Sequence, residues 1–390
     1  MKKKVCIVTG TRAEYGILRP LIEKLDKESS IELQIIATGM HLSPEFGLTY
    51  KNIEQDGYNI TEKIEILLSS DSSVGVSKSM GLALISFAEC YQRINPDLII
   101  ILGDRYETFS AMAAATVAKI PVAHLHGGEI TEGAFDDSFR HSMTKMAYLH
   151  FTSAEEYSNR VIQLGENPDR VFNVGAMGVE NVLKLKLSSR DELEKKLEIE
   201  LKEGYFTVVF HPVTLENNSA EDQVNELMKA LDEFKGKNIV FIKGNSDTNG
   251  RIINSAIDNY CINNSNAFCF ASLHIEDYMS LLKNSSCIIG NSSSGIIEAP
   301  SFKIATINIG DRQKGRIKAQ SVIDCKPNAE EIVSAINIGI DNNFKNIFEK
   351  IENPYGNGET SEKIHKIIKE FLFDKEINLK KKFYNIKFEV

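Results

Sequence analysis

The chain has 390 residues, 42% apolar and 25% charged, which excludes wholesale disorder and makes two domains, at roughly 150 residues each, the first expectation. Its 54 acidic against 45 basic side chains give a net charge of −9. A general nucleic-acid binder is thereby excluded, though a local pocket for a small anion is not.

The basic start Met1-Lys2-Lys3-Lys4 precedes an apolar stretch that breaks at Gly10, too short for a signal peptide. A buried first strand over 5–8 is the better reading, and with it a cytoplasmic protein. No apolar run reaches the roughly 18 residues of a membrane span. Further strands are expected at 33–37, 98–102, 122–125, 149–152 and 171–174, several nearly continuous in Val, Ile and Leu, as parallel strands covered on both faces are. Helices fit 17–25 and the Ala-rich 106–118. A charged stretch at 179–201, with a helix start at Ser188-Ser189-Arg190-Asp191, marks a domain boundary. The scheme then repeats, with strands at 206–210, 239–242, 267–270, 287–289 and 305–309 and helices at 220–234, 275–282 and 329–338. An amphipathic helix follows Ser361. This alternation predicts two doubly wound, Rossmann-like α/β domains, 1–180 and 181–360, with 361–390 as a C-terminal helix and tail. In open α/β sheets ligands bind beyond the carboxyl ends of the strands, so the site is expected in the interdomain cleft. The six cysteines form no CxxC pair and read as reduced thiols.

Six segments at strand ends carry candidate chemistry. Gly10-Thr11-Arg12-Ala13-Glu14-Tyr15-Gly16 lacks dinucleotide-fingerprint spacing, and is either a tight turn or a place where Arg12 reaches a phosphate. Gly103-Asp104-Arg105 ends an apolar strand, so Asp104 is a helix cap or a site residue. In His124-Leu125-His126-Gly127-Gly128-Glu129, the two histidines share one side of a strand, a pattern open to core, acid/base or metal readings. For a metal, Asp104 or His141 would have to converge on them. Asp136 and Asp137 stand at a helix start, with Arg140 and His141 at i,i+4, as caps or as acids. His211, before Pro212, is left at a strand edge. In Gly290-Asn291-Ser292-Ser293-Ser294-Gly295-Ile296-Ile297-Glu298, a small polar turn between strand and helix suits a diphosphate, and Glu298 suits ribose hydroxyls. Arg312, Lys314 and Arg316 add cations downstream.

Together GTRAEYG (10–16), TGMHLSPEFGLTY (38–50), GDRYE (103–107), HLHGGE (124–129), DDSFRHSMTKMAYLH (136–150), FHPVT (210–214), GNSSSGIIE (290–298) and NIGDRQKGR (308–316) resemble the hydrolysing UDP-N-acetylglucosamine 2-epimerases of sialic-acid and related nonulosonate biosynthesis. The resemblance implies the two-domain glycosyltransferase-B fold. It implies conversion of UDP-N-acetylglucosamine and water to N-acetylmannosamine and UDP, through elimination to a 2-acetamidoglucal and rehydration, with no metal or other cofactor. By position, Asp104, Glu129, Asp136 and Asp137 resemble the sugar-side acid/base set, with Glu129 first choice for the C2 proton, and His211 the residue that stabilises the leaving group. Arg140 holds the aspartates or the substrate. Arg12, Arg105, Asn245, Ser292, Ser293, Ser294, Gly295, Glu298 and Arg312 resemble substrate-binding positions. A homodimer or homotetramer is implied, with a UDP-sugar as the small-molecule partner and neither nucleic acid nor membrane. Close relatives act on UDP-N,N′-diacetylbacillosamine in legionaminic-acid synthesis, and the shared motifs do not discriminate. A UDP-sugar glycosyltransferase and a non-catalytic nucleotide-sugar sensor are the readings from other classes.

Overall fold

Strands that are apolar on both faces are stable only between two layers of helices, and the apolar runs of this chain lie in that setting. The computed structural model describes residues 2–68, 70, 72–202, 204–213, 219–244, 250–348, 352–374 and 377–387. The chain divides into two units. One comprises Met1–Glu129, Asp136–Asn181 and Tyr355–Val390, and the other Ile130–Phe135 and Val182–Pro354.

Among the described residues the first unit has seven strands: β1 (Lys3–Thr9), β2 (Ile31–Thr38), β3 (Glu62–Ile64), β4 (Leu98–Leu102), β5 (Val122–Leu125), β6 (Leu149–Thr152) and β7 (Val171–Asn173). All pair in parallel, in the order β3-β2-β1-β4-β5-β6-β7. The intervening helices are α1 (Arg12–Lys27), α2 (Tyr50–Gln55), α3 (Ser73–Ile94), α4 (Tyr106–Val117), α5 (Asp136–Met146) and α6 (Glu155–Gln163). From α7 (Met177–Lys184) the chain passes to the second unit.

There α8 (Arg190–Leu197) is opened by a capping box, Ser189 with Glu192, at the helix start expected from the sequence. The strands are β8 (Phe206–Val209), β9 (Ile239–Ile242), β10 (Ala267–Phe270), β11 (Cys287–Gly290), β12 (Ala305–Ile309) and β13 (Val322–Cys325), parallel in the order β10-β9-β8-β11-β12-β13. Helices α9 (Ser219–Leu231), α10 (Gly250–Asn263), α11 (Ile275–Lys283), α12 (Ser293–Ile297), α13 (Ala329–Ile340) and α14 (Asn342–Phe348) accompany them, and α15 (Thr360–Phe373) follows in the first unit. Both sheets are doubly wound: the first six strands of each unit follow one order, 3-2-1-4-5-6.

Alternation along β1 builds the two core layers of the first unit. Val5 and Ile7 face Leu18, Leu21 and Ile22 of α1 and Ile364, Ile368 and Phe371 of α15. Cys6 and Val8 face the opposite layer, with Phe87, Cys90 and Tyr91 of α3 and Met112 and Ala115 of α4. In the second unit Phe206, Val208 and Phe241 pack with α9, α10 and α13, while Val240, Ile242 and Ile288 pack with Leu193 of α8 and Leu281 of α11. Among the described residues no helix is long and apolar enough to cross a membrane.

Candidate active site

In the first sheet β1 leads to β2 on one side while β4 lies on the other, so the carboxyl ends of β1 and β4 flank a topological switch point. The residues leaving these strands gather there. Thr11 caps α1, its hydroxyl accepting from Glu14 N (3.2 Å), and the Glu14 carboxylate in turn accepts from Gly10 N (2.7 Å). This cap starts α1 at Arg12, five residues before the apolar pattern does. His41, from the short 3-10 turn Gly39–Leu42, is fully buried between the hydroxyls of Thr9 (3.1 Å) and Thr49 (2.9 Å). Burial holds its imidazole down at about 4, so the ring is neutral.

After β4 the chain turns at Gly103 (φ +81°) into Asp104 and Arg105, the N-cap residue of α4. The carboxylate of Asp104 is clamped by the guanidinium of Arg140, which is buried in α5. The i,i+4 spacing pointed Arg140 at Asp136, and the pair found is Arg140 with Asp104, 36 residues away. Among the described residues Nε and Nη1 of Arg140 have no partner, although both are buried. Arg105 donates to Glu107 Oε1 (3.1 Å), whose side chain is fully buried. Glu14 lies close enough to Arg105, Glu107 and Asp104 to feel all three charges. Burial is the largest influence and raises Glu14 to about 7; Arg105 opposes the shift and Glu107 adds to it.

After β5 the two histidines part company. His124 stays in the strand, fully buried, and its Nε2 donates to the Gly103 carbonyl (2.7 Å). Burial holds it at about 3, hence neutral. His126 takes a left-handed backbone, φ +64°, and its Nδ1 is 2.8 Å from Glu129 Oε1. Such a conformation costs a side-chain-bearing residue about 1–3 kcal/mol, and functional sites are where it concentrates. Glu129 Oε1 also accepts from the hydroxyl of Ser153 (2.7 Å), the first residue beyond β6. Gly128 (φ +79°) presses the turn against α6, where Arg160 donates to its carbonyl (2.6 Å). The paired histidines therefore spend their nitrogens on different partners. Among the described residues no three His, Cys, Asp or Glu side chains converge as a metal-holding group. Asp136 and Asp137 open α5, half-buried, with Asp137 3.4 Å from His141.

The second unit has its own switch point, between β8 and β11. His211, beyond β8, is buried and its backbone is braced from both sides by Asn291: His211 N donates to Asn291 Oδ1 (2.7 Å) and Asn291 Nδ2 donates to His211 O (2.8 Å). The Asn291 carbonyl accepts in turn from Arg312 Nη1 (3.2 Å) and Gln313 Nε2 (2.8 Å). Ser292 caps α12, with its hydroxyl accepting from Ser294 N (3.3 Å). Ser293, Ser294 and Gly295 form the first turn, and Glu298 is buried at its end. Gly295 is required there, because a Cβ would fall 2.5 Å from Thr306 Cγ2. Asn245 lies outside the described residues.

A family model, UDP-N-acetylglucosamine 2-epimerase, matches residues 23–369. The chain is also 46% identical over 328 residues to GDP/UDP-N,N′-diacetylbacillosamine 2-epimerase (hydrolyzing) of Campylobacter jejuni, covering 84% of this chain and 85% of that one. The chain belongs to the UDP-N-acetylglucosamine 2-epimerase family. A second relative of this epimerase, polysialic acid biosynthesis protein P7 of Escherichia coli, is 44% identical over 385 residues, 98% of each chain. A crystal structure of the UDP-GlcNAc 2-epimerase of Neisseria meningitidis bound to UDP-GlcNAc superposes with a TM-score of 0.80 at 18% identity, over 94% of this chain and all of that one. The fold of this epimerase is thus the glycosyltransferase-B type that the resemblance implied. Sequence reasoning passed over Glu14, His41, Glu107 and Ser153. The first three lie inside quoted motifs, and Ser153 was detectable only as the residue ending the strand after the HLHGGE segment.

Proposed function

We propose that this epimerase converts UDP-N-acetylglucosamine and water to N-acetylmannosamine and UDP, supplying sialic-acid synthesis. The C2–H bond pair becomes the C1=C2 double bond of a 2-acetamidoglucal as the C1–O bond breaks and UDP departs with its electrons. Water then adds its oxygen to C1, and C2 receives a proton on the face opposite the one that lost it. The observation that carries the reading is the meeting of two polar systems at the carboxyl ends of the adjacent strands β4 and β5: Asp104 clamped by buried Arg140, and the hydrogen-bonded set His126–Glu129–Ser153. Such groups move protons at a sugar carbon. The unpartnered Nε and Nη1 of Arg140 suit oxygens of the substrate. Asp136 and Asp137 are the further acids of this side. On the nucleotide side, Arg312, His211 and the turn 292–295 offer cations and dipoles to a departing diphosphate. Arg12 and Arg105 serve the same charge, and Glu298 the ribose. Similarity to the polysialic acid biosynthesis protein over 98% of the chain supports the sialic-acid role, and 32% identity to UDP-N-acetylglucosamine 2-epimerase of Neisseria meningitidis over 86% of the chain supports the N-acetylglucosamine substrate. A second reading, the same chemistry on UDP-N,N′-diacetylbacillosamine, is favoured by the 46% identity to the Campylobacter jejuni enzyme.

The test is NMR in D₂O with each UDP-sugar in a separate tube and EDTA in both. The expected result is UDP and N-acetylmannosamine carrying deuterium at C2, formed with EDTA present. Turnover of the diacetylbacillosamine compound alone would replace the substrate and keep the mechanism. Intact UDP-sugar in both tubes, from protein that binds UDP, would overturn the reading in favour of a transferase or sensor.

A further inference from the structure

The two histidines of the HLHGGE segment offer an internal comparison. His124 sits in a regular strand with Nε2 donating to a carbonyl and Nδ1 facing Thr144 Oγ1 (3.5 Å). His126 has only one nitrogen engaged. A carboxylate is acceptor-only, so the 2.8 Å contact between Glu129 Oε1 and Nδ1 places a proton on Nδ1. Nε2 is then left with its lone pair. Among the described residues Nε2 has no hydrogen-bond partner, although it is buried. Buried polar atoms in folded proteins are nearly always paired, and one that is not points to a ligand that completes it.

Exposure separates the two members of the pair. The Glu129 side chain is 2% exposed and that of His126 12%, so the ring is the more accessible of the two. Glu129 is further enclosed by Ser153, which donates to the same oxygen. The left-handed backbone at His126 is tied at its amide to the Phe151 carbonyl (2.9 Å), which fixes the direction in which the ring leaves the chain. A left-handed residue, a carboxylate against Nδ1 and an unpartnered Nε2 together form the arrangement by which a carboxylate orients a histidine base.

We propose that His126 is the catalytic residue that touches C2 and takes its proton through Nε2, and that Glu129 is the positioning residue that holds its ring; the assignment rests on the hydrolysing-epimerase reading. In the elimination, Nε2 forms the new N–H bond, the C2–H electron pair becomes the C1=C2 bond, and UDP leaves with the C1–O pair. The imidazolium is balanced by Glu129 and yields its proton to water once UDP has gone. The opposite face of C2 is protonated by a different group.

The experiment compares His126→Asn, Glu129→Gln and wild type on whichever UDP-sugar the wild type turns over, with UDP affinity measured for all three. Asparagine places an amide N–H where Nδ1 lies, which keeps a donor for Glu129 and removes the outer nitrogen. His126→Asn is expected to bind UDP within about twofold of wild type and to lose on the order of 10³-fold in kcat. Glu129→Gln is expected to lose less, about 10-fold to 10²-fold, in kcat with KM little changed. His126→Gly should regain turnover on addition of imidazole, a response that a purely structural ring would not give. His126→Gln serves as the second variant if Asn does not fold. Turnover of His126→Asn within tenfold of wild type, or loss in Glu129→Gln exceeding that in His126→Asn, would overturn the assignment and return the base to Glu129. Wild type inert toward both UDP-sugars would overturn the functional reading and this inference with it.

Discussion

Glu14 is a buried carboxylate at the carboxyl end of β1 with Arg105, Glu107 and Asp104 around it and the Gly10 amide bonded to it. Its value of about 7 means that the folded protein holds this proton more tightly than the unfolded chain, whose Glu releases it near 4.5. Stability from this group is therefore fully present below about pH 4.5 and drains away as pH rises to about 7. The neutral histidines His41 and His124 act in the other direction, costing stability as pH falls below 6.5. Glu14→Gln keeps an acceptor for Gly10 and cannot ionise. It should melt with the wild type at pH 5 and several degrees above it at pH 8, and thermal melts across that range check this. Parallel curves for the two proteins would mean that Glu14 ionises without cost. At this scale the sequence reading placed Asp104, Arg105 and His211 just beyond strands, and they lie there in the structure. It left open which aspartate Arg140 holds, because helical spacing points to Asp136 and is silent about Asp104, 36 residues away. It set Glu14 and Glu107 aside, because nothing in their neighbours signals that they are buried.

Elements were legible where the apolar run is continuous. β4, β5, β6, β9, β10 and β12 have the bounds that their apolar runs predicted. The edge strands β3 and β13 were passed over because they are short and half polar, whereas the edge strands β7 and β10 carry apolar runs that mark them. The 22-residue α3 was missed for a different reason. Its Ser, Val and Gly content argues against a helix, and packing of Phe87, Cys90 and Tyr91 onto the sheet overrides that propensity. Two glycines test this account. In α3, Gly81 faces open space, and Gly81→Ala should stabilise by about 0.5–1 kcal/mol. At the end of β11, Gly290 has φ +137° and a Cβ there would sit 2.0 Å from the Val209 carbonyl oxygen of the neighbouring strand. Gly290→Ala should destabilise by roughly 3 kcal/mol or more, because both the backbone conformation and the β8–β11 spacing would have to change. Urea or thermal denaturation of the two variants gives both signs in one experiment.

At the level of the whole molecule, the chain passes between its units four times, at 129/130, 135/136, 181/182 and 354/355. The last passage returns α15 to the first unit, where Ile364, Ile368, Phe371 and Leu372 close the core against α1 and Lys24 pairs with Glu362 (2.6 Å). Burial of four such side chains contributes on the order of 6–12 kcal/mol, comparable with the entire net stability of a domain. Removal of Tyr355–Val390 should therefore leave the first unit unable to fold, seen as loss of cooperative melting and binding of a hydrophobic dye.

The short passage at Ile130–Phe135 has a consequence for recombination between genes of this family. Its residues pack within the second unit: the Ile130 carbonyl accepts from Arg316 Nε (3.1 Å), Glu132 pairs with Lys314 (3.6 Å), and Gly133 fits so tightly that a Cβ would lie 2.9 Å from Val213. A crossover at 181 would join one parent's hexapeptide to another parent's 312–316 loop, and one parent's α15 to another parent's α1. Exchange of second units between relatives thus works as a double graft of 130–135 with 182–354 into a single host, and simple half-and-half hybrids inherit two mismatched seams.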